Sequence, residues 1–236
     1  LNSFLGREET ISNSHRVRFV GKDSIDKNFS KALSSVRLNL AQAIINGNHY
    51  KISIADINLW TQIILNRILF IRVCEARGLE RDGLLKDFAA TDFWTEFKRS
   101  SYIDFYEHYD GPMFARIRHI QDLIIDNAVF DDLLSYLYYP SPYCFDVIPL
   151  KSISDIYDLF LGYHLEYDDS GILENVLKSE FRKSNGAVTT PEHIVHNTID
   201  STVPSEYLQS LTNQQILDLK FLDPACGSGV FLVSIY

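Results

Sequence analysis

Apolar residues recur at helical spacing from Asn28 to Ile45, at Phe29, Leu33, Val36, Leu40, Ala43 and Ile44. Asn46-Gly47-Asn48 follows, and residues that tolerate left-handed backbone are expected to stop the helix there. A longer helix is expected from about Asp56 to Arg77, with Asp56 as its cap and Gly78 just past its end. Ile57, Leu59, Trp60, Ile63, Ile64, Leu65, Ile68, Leu69, Phe70, Ile71 and Val73 cover most of its circumference, which predicts a central, buried helix. Residues 80–110 interleave charge with Phe88, Phe93, Trp94, Phe97, Tyr102, Phe105, Tyr106 and Tyr109, a pattern of short helices joined by loops. Gly111-Pro112 opens a further helix, since proline suits a first turn, and that helix and its successor reach about Tyr139. Pro140-Ser141-Pro142 forces a break. Ser152-Ile153-Ser154-Asp155 signals a helix through Ile156, Leu159, Phe160 and Tyr163, and another is expected from roughly Gly171 to Lys183. Strand signals are nearly absent up to residue 183, so this half reads as an α-helical domain.

The character changes at Ser184-Asn185-Gly186. Thr189-Thr190-Pro191-Glu192 combines a proline at the first helical position with a Thr-x-x-Glu capping box, and His193 to Ile199 continue the helix. Ile216-Leu217-Asp218-Leu219-Lys220-Phe221-Leu222 alternates apolar and polar residues and predicts a strand. Asp223-Pro224-Ala225-Cys226-Gly227-Ser228-Gly229 is then a turn, and Val230 to Tyr236 starts a helix. Strand, glycine turn and helix make half of a nucleotide-binding βαβ unit. A parallel strand needs neighbours, so residues 216–222 should be unstable or packed abnormally without them. The expected organisation is an arm or linker over 1–27, a helical domain over 28–183, and the amino-terminal part of a second, incomplete domain over 184–236.

Composition narrows the class. With 46% hydrophobic and 13% aromatic residues in 236, the chain can bury a substantial core and is not of a disordered type. Charged residues interrupt every apolar run well short of the ~20 residues that span a bilayer, so no transmembrane helix is expected. The first residues lack the basic and apolar regions of a secretory signal. Cys74, Cys144 and Cys226 are too few and scattered for a disulfide framework, which points to a reducing cytoplasm. The net charge is −9, distributed as +3 over residues 1–50, −8 over 51–186 and −4 over 187–236. Such a balance disfavours non-specific adhesion to a polyanion over most of the surface. A nucleic-acid role therefore needs a local basic patch or a partner domain, and the basic cluster of Arg16, Arg18, Lys22 and Lys27 is the local exception.

The glycine turn carries the candidate chemistry. A strand ending in Gly-x-Gly brings backbone N–H groups to the start of the next helix, where an anionic group can bind. Gly227 and Gly229 let a ligand approach the backbone closely. Asp223 sets a carboxylate beside them, which repels a pyrophosphate and attracts an ammonium, favouring an amino-acid-like zwitterion over a dinucleotide. Leu232 stands where the third glycine of a dinucleotide fingerprint would be, and the lysine of a P-loop is absent.

Asp223 to Gly229 followed by Val230-Phe231-Leu232 resembles the S-adenosylmethionine-binding motif I of N6-adenine DNA methyltransferases. Lys183 to Pro191 resembles their motif X, and the order X then I matches the amino end of that catalytic domain. The nearest likeness is to type IIG restriction–modification enzymes and phage-defence methyltransferases. Leu65 to Leu79, ending in Glu75-Ala76-Arg77-Gly78-Leu79, is similar to a helix of those proteins, as is Phe145 to Leu161 to the segment before motif X. The resemblance implies a mainly α chain whose helical domain precedes the first strand–turn–helix of a truncated Rossmann-like methyltransferase domain. It also implies that Thr190 and Pro191 wall a cofactor pocket, that Asp223 binds the methionine ammonium, and that Pro224, Ala225, Cys226, Gly227, Ser228 and Gly229 line the methionine moiety. Thr189 and Val188 replace the aromatic residues usual in motif X. The implied parent protein transfers a methyl group from S-adenosylmethionine to a flipped adenine in double-stranded DNA, with magnesium only if a nuclease is attached. The Asn-Pro-Pro-Tyr-like motif that holds the adenine amine in that family has no counterpart, since no Asn-Pro dipeptide occurs. The chain by itself is therefore expected to be inactive. The alternative is a helical DNA- or protein-interaction scaffold without catalysis.

Several other residues invite chemical readings. Cys226 reads as a small packing residue, since no base accompanies it. His193 and His196 read as a solvated helix face, no further ligand completing a metal site. Asp82, Asp87, Glu96 and Lys98 loosely imitate a nuclease pattern in a region that reads helical. The aromatic stretch 93–145 has the spacing and acidity of a core rather than a base-stacking platform. Arg182 and Lys183 suit either phosphate contacts or an ordinary basic helix end.

Overall fold

A computed structural model describes residues 22–109, 112–141, 143, 145, 162–178, 190–224, 226 and 229–235. The arm's first 21 residues, the motif residues 179–189, the helix expected from Ser152 as far as residue 161, and Cys144, Ala225, Gly227 and Ser228 lie outside them; Tyr163, the expected helix's last apolar residue, instead begins a strand.

Helix α1 runs Lys22–Gly47, so it begins inside the segment expected to be an arm. Its stripe of Phe29, Leu33, Val36, Leu40 and Ile44 is buried. Helix α2 spans Ile54–Ala76. Its cap is Ser53, not Asp56: the Ser53 hydroxyl accepts from the Asp56 amide at 3.1 Å and donates to the Asp56 carboxylate at 2.6 Å. The far end closes as a Schellman turn, with Gly78 at φ +70°. The Leu79 amide reaches the Cys74 carbonyl, and the Gly78 amide reaches that of Glu75.

By length and composition α2 is long and apolar enough to cross a membrane, which the run-length expectation had excluded. In this fold it is the core helix, burying Ile57, Trp60, Ile64, Leu65, Ile68 and Ile71. Its interior charges are held by polar partners. Arg67, 1% exposed, donates from Nε to the Met113 carbonyl at 2.7 Å and from Nη2 to that of Ala115 at 2.8 Å. Glu75 accepts from the Leu85 amide at 3.0 Å and the Tyr138 hydroxyl at 2.5 Å, and lies 3.4 Å from Arg72. Burial pushes the Glu75 carboxyl above the ordinary range, against the lowering pull of those partners.

Helices α3 (Leu84–Ala89) and α4 (Phe93–Ser100), a π-turn over Ser101–Phe105 and α5 (Tyr106–Tyr109) fill the aromatic-rich stretch. Phe93 stacks on Phe130 with centroids 4.3 Å apart, and Phe105 on Phe114 at 5.2 Å, so these rings are core. Of the two helices expected between Gly111 and about Tyr139, the first opens only as a 3-10 turn over Pro112–Phe114, which leads through a strap to the short α6 (Arg118–Gln121) and then α7 (Ala128–Leu137).

The helix expected over 171–183 is in its described part a strand. Strands β1 (Tyr163–Tyr167) and β2 (Leu173–Leu177) form an antiparallel hairpin, with Leu165 opposite Asn175. The Asp168 carboxylate accepts from the amides of Ser170 (2.9 Å) and Ile172 (2.7 Å), and Gly171 takes φ +76°, which fixes the turn. Leu165 and Leu173 then point inward onto Ala41 and Ile57. Polar side chains dock the outer edge of β1: the Asn58 amide group accepts from the Leu165 N–H and donates to its C=O, both at 2.8 Å, and Arg37 donates to the Tyr163 carbonyl at 2.8 Å. Arg37 interrupts the apolar stripe of α1, and burial draws its guanidinium down to about 10. These two residues were unremarked in the sequence, although an arginine four residues after Leu33 was the visible sign.

Candidate functional site

The motif-bearing segments come together beyond the hairpin. Helix α8 spans Glu192–Thr202 and is followed by α9 (Ser205–Gln209) and α10 (Asn213–Leu217). Pro191, at φ −55° and ψ 139°, is the cap of α8 rather than its first residue, and no side chain caps it. The strand expected over 216–222 is absent. Thr212 and Gln215 form a reciprocal capping box that starts a helix, which takes in Ile216 and Leu217, and residues 219–223 follow without regular structure. The local capping bonds exist within the chain, whereas a parallel strand gets its bonds only from neighbours. Leu217 and Leu222 are accordingly 78% and 88% exposed.

The expected helix after the glycine turn forms as α11, Val230–Ile235. Gly229 holds φ +80°, its amide donates to the Cys226 carbonyl at 2.7 Å, and a Cβ built on it would meet nothing within 4 Å. Open space therefore lies at the Cβ position of Gly229 among the described residues. Helices α8 and α11 flank a groove of about 250 Å³, lined by Thr198, Ile199, Thr202, Phe221, Leu222, Asp223, Pro224, Phe231, Leu232 and Ile235. Its walls are mostly apolar, and half-buried Asp223 is its acidic group among the described lining residues.

The structure thus joins Asp223 and Pro224 to the α11 residues. Thr190 and Pro191 do not line the groove: they precede α8, whereas its Thr198–Thr202 end contributes to the wall. Cys226 is exposed, not packed in a core. A carboxylate at the rim, apolar walls and an open glycine are compatible with a zwitterion carrying an aliphatic chain.

The remaining candidates separate. His193 and His196 are exposed on α8. Lys98 donates to the Gln121 carbonyl at 3.1 Å and lies over Trp94, Glu96 pairs with Arg99, and Asp87 pairs with Arg81, so no nuclease-like cluster assembles. Among the described residues no three His, Cys, Asp or Glu side chains converge for a metal ion.

No protein-family model matches the chain, and no solved structure matches it. A curated protein does: the "Type II restriction enzyme and methyltransferase RM.Eco57I" of Escherichia coli is 31% identical over 245 aligned positions. The match takes in 100% of this chain and 24% of that protein, so the chain spans about a quarter of its relative's length. Identity along the whole chain relates it to a segment of a type II restriction–modification methyltransferase.

Proposed function

We propose that the chain is part of an S-adenosylmethionine-dependent DNA methyltransferase of a restriction–modification system, acting on the N6 amine of adenine in double-stranded DNA. The observation that carries this reading is the 31% identity to a restriction enzyme and methyltransferase over the full chain. The acidic, apolar groove built from the glycine-turn segment supports the choice of cofactor.

In this reading the cofactor supplies an electrophilic methyl group when bound. Asp223 accepts hydrogen bonds from the methionine ammonium. Pro224, Ala225, Cys226, Gly227, Ser228 and Gly229 are the residues that would line its methionine moiety, and the lack of a side chain at Gly229 would permit close approach. Thr190 and Pro191 complete the pocket only if the start of α8 moves toward Asp223. Magnesium enters only with an attached nuclease.

Calorimetric titration of the full-length protein with S-adenosylmethionine tests the assignment. The wild type is expected to bind, and Asp223→Ala to bind at least about tenfold more weakly, as loss of a charge-assisted hydrogen bond requires. No measurable binding by the wild type overturns the reading in favour of a non-catalytic helical scaffold.

A further inference from the structure

Within residues 51–186, which sum to −8, a strap over residues 112–127 is neutral overall, with exposed Arg116 and Arg118 toward its start and exposed Asp122 and Asp126 toward its end. Residues 112–127 cross α2 in the opposite direction to it, and contacts from four places fix their course. Arg67 holds the carbonyls of Met113 and Ala115. About two turns toward the start of α2, Trp60 stacks on His119 with centroids 6.1 Å apart. The Trp94 indole donates to the Leu123 carbonyl at 2.8 Å, and Lys98 holds that of Gln121. At the far end Asn48 donates to the Ile124 carbonyl at 3.0 Å and accepts from its amide at 3.1 Å. Phe114, Ile120, Leu123 and Ile125 are buried beneath.

Anchored in this way, the strap displays Arg116 and Arg118 outward, on either side of half-buried Ile117. Ile117 has extended backbone, φ −118° and ψ 106°, so the two arginines stand on one side, with α-carbons about 6.5 Å apart. His119 is exposed beside them, and the bonds from Asn48 bring the exposed His49-Tyr50-Lys51 loop to the strap's end. Among the described residues Asp122 lies 4.0 Å from Arg118, in a pair whose side chains are 68% and 90% exposed, and exposed Asp126 follows further along the strap. Such an exposed pair contributes little, and a phosphate can replace it.

We propose that this strap grips the phosphate backbone of duplex DNA, with Arg116 and Arg118 as its phosphate-contacting residues. The inference rests on the reading of DNA as the substrate. It relocates contact from the amino-terminal arm to the surface of the helical domain. The anchored backbone sets the spacing of the two arginines, so it loses little freedom when their side chains meet successive phosphates.

The test is equilibrium binding of the full chain to a fluorescent random-sequence duplex across a salt titration. A double charge reversal, Arg116→Glu with Arg118→Glu, is expected to weaken binding at least about tenfold and reduce the salt slope by about 2. Arg81→Glu with Arg99→Glu makes the same change in net charge at exposed positions off the strap, and is expected to bind within about twofold of wild type. Equal losses in both pairs of variants, or none in the strap variant, overturn the strap assignment while leaving DNA as the partner. A wild-type chain that binds no duplex overturns DNA contact by this domain itself. Circular dichroism of each variant shows whether a loss reflects folding.

Discussion

Asn58→Ala is the sharpest probe of how the hairpin is held. The side chain makes both backbone bonds that a neighbouring strand would otherwise make to Leu165, accepting from its N–H and donating to its C=O at 2.8 Å. It also accepts from Arg37 at 3.1 Å and donates to the Ile54 carbonyl at 2.9 Å. Leu165 is fully buried, so water cannot readily replace the lost partners. Two hydrogen bonds at about 1 kcal/mol each, plus the cost of leaving a buried peptide unit unpaired, give about 2–4 kcal/mol. For a chain of this size that corresponds to a melting temperature lowered by roughly 5–10 °C. Urea denaturation followed by far-ultraviolet circular dichroism measures the global loss, and hydrogen exchange at the Leu165 amide measures local opening. Both should change. A double-mutant cycle with Arg37→Met should return a coupling of about 1 kcal/mol, since the two side chains share a bond. A loss below about 0.5 kcal/mol with unaltered exchange at Leu165 would refute the view that Asn58 substitutes for a strand.

Glu75→Gln should change how stability depends on pH. Burial raises the folded-state value of Glu75, so its contribution is complete below the ordinary carboxyl value and is lost as pH rises through the raised one. The urea midpoint of wild type relative to the glutamine variant should therefore fall across that window, and a flat difference would count against the assignment. Gly47→Ala should destabilise by about 1–3 kcal/mol, because the new Cβ would overlap the Ile124 carbonyl oxygen, which is backbone and cannot rotate away; thermal melting measures this. Gly78→Ala should lose about 1 kcal/mol through its left-handed backbone alone, with no steric clash, and Gly78→Asn should lose less, as urea denaturation can establish.

Features set by adjacent residues were the ones legible in the sequence. Helix α2 announced itself through a dense apolar pattern and Gly78, and only its cap was misplaced, since a serine and an aspartate three residues apart can each start a helix. The Glu75 to Leu79 likeness has a local explanation: the glycine turns the chain, and the glutamate binds α3 and Tyr138. The hairpin was missed because its strands have five residues each and their inward residues are only Leu165 and Leu173. Asp168-Asp169-Ser170-Gly171 was nonetheless a readable turn. At the candidate site, Asp223, Pro224 and Gly229 follow from the motif, whereas the position of Thr190 depends on where α8 lies, which no local pattern specifies. The strap was hidden for a related reason. Arg116 and Arg118 are offset in any segment sum by Asp122 and Asp126, and the backbone anchors that hold the strap come from residues distant in sequence.

The irregular course of residues 219–223 bears directly on cofactor affinity. In the proposed reading Asp223 would recognise an ammonium only if its carboxylate points consistently into the groove, and a strand paired on both sides would hold it there by ladder bonds. Among the described residues the strands are β1 and β2, which pair with each other, so nothing described supplies that ladder. Covering Leu217 and Leu222 with an apolar surface would recover burial energy but not backbone hydrogen bonds. A segment ordered without those bonds leaves polar groups unpaired at about 1–3 kcal/mol each. Apolar contact alone is therefore insufficient, and a neighbouring strand is required. The 236-residue chain should accordingly bind S-adenosylmethionine weakly, and a longer polypeptide that pairs residues 216–222 on both sides should bind it far more tightly. Micromolar affinity in the chain by itself would show instead that the glycine turn and α11 fix Asp223 without help from a sheet.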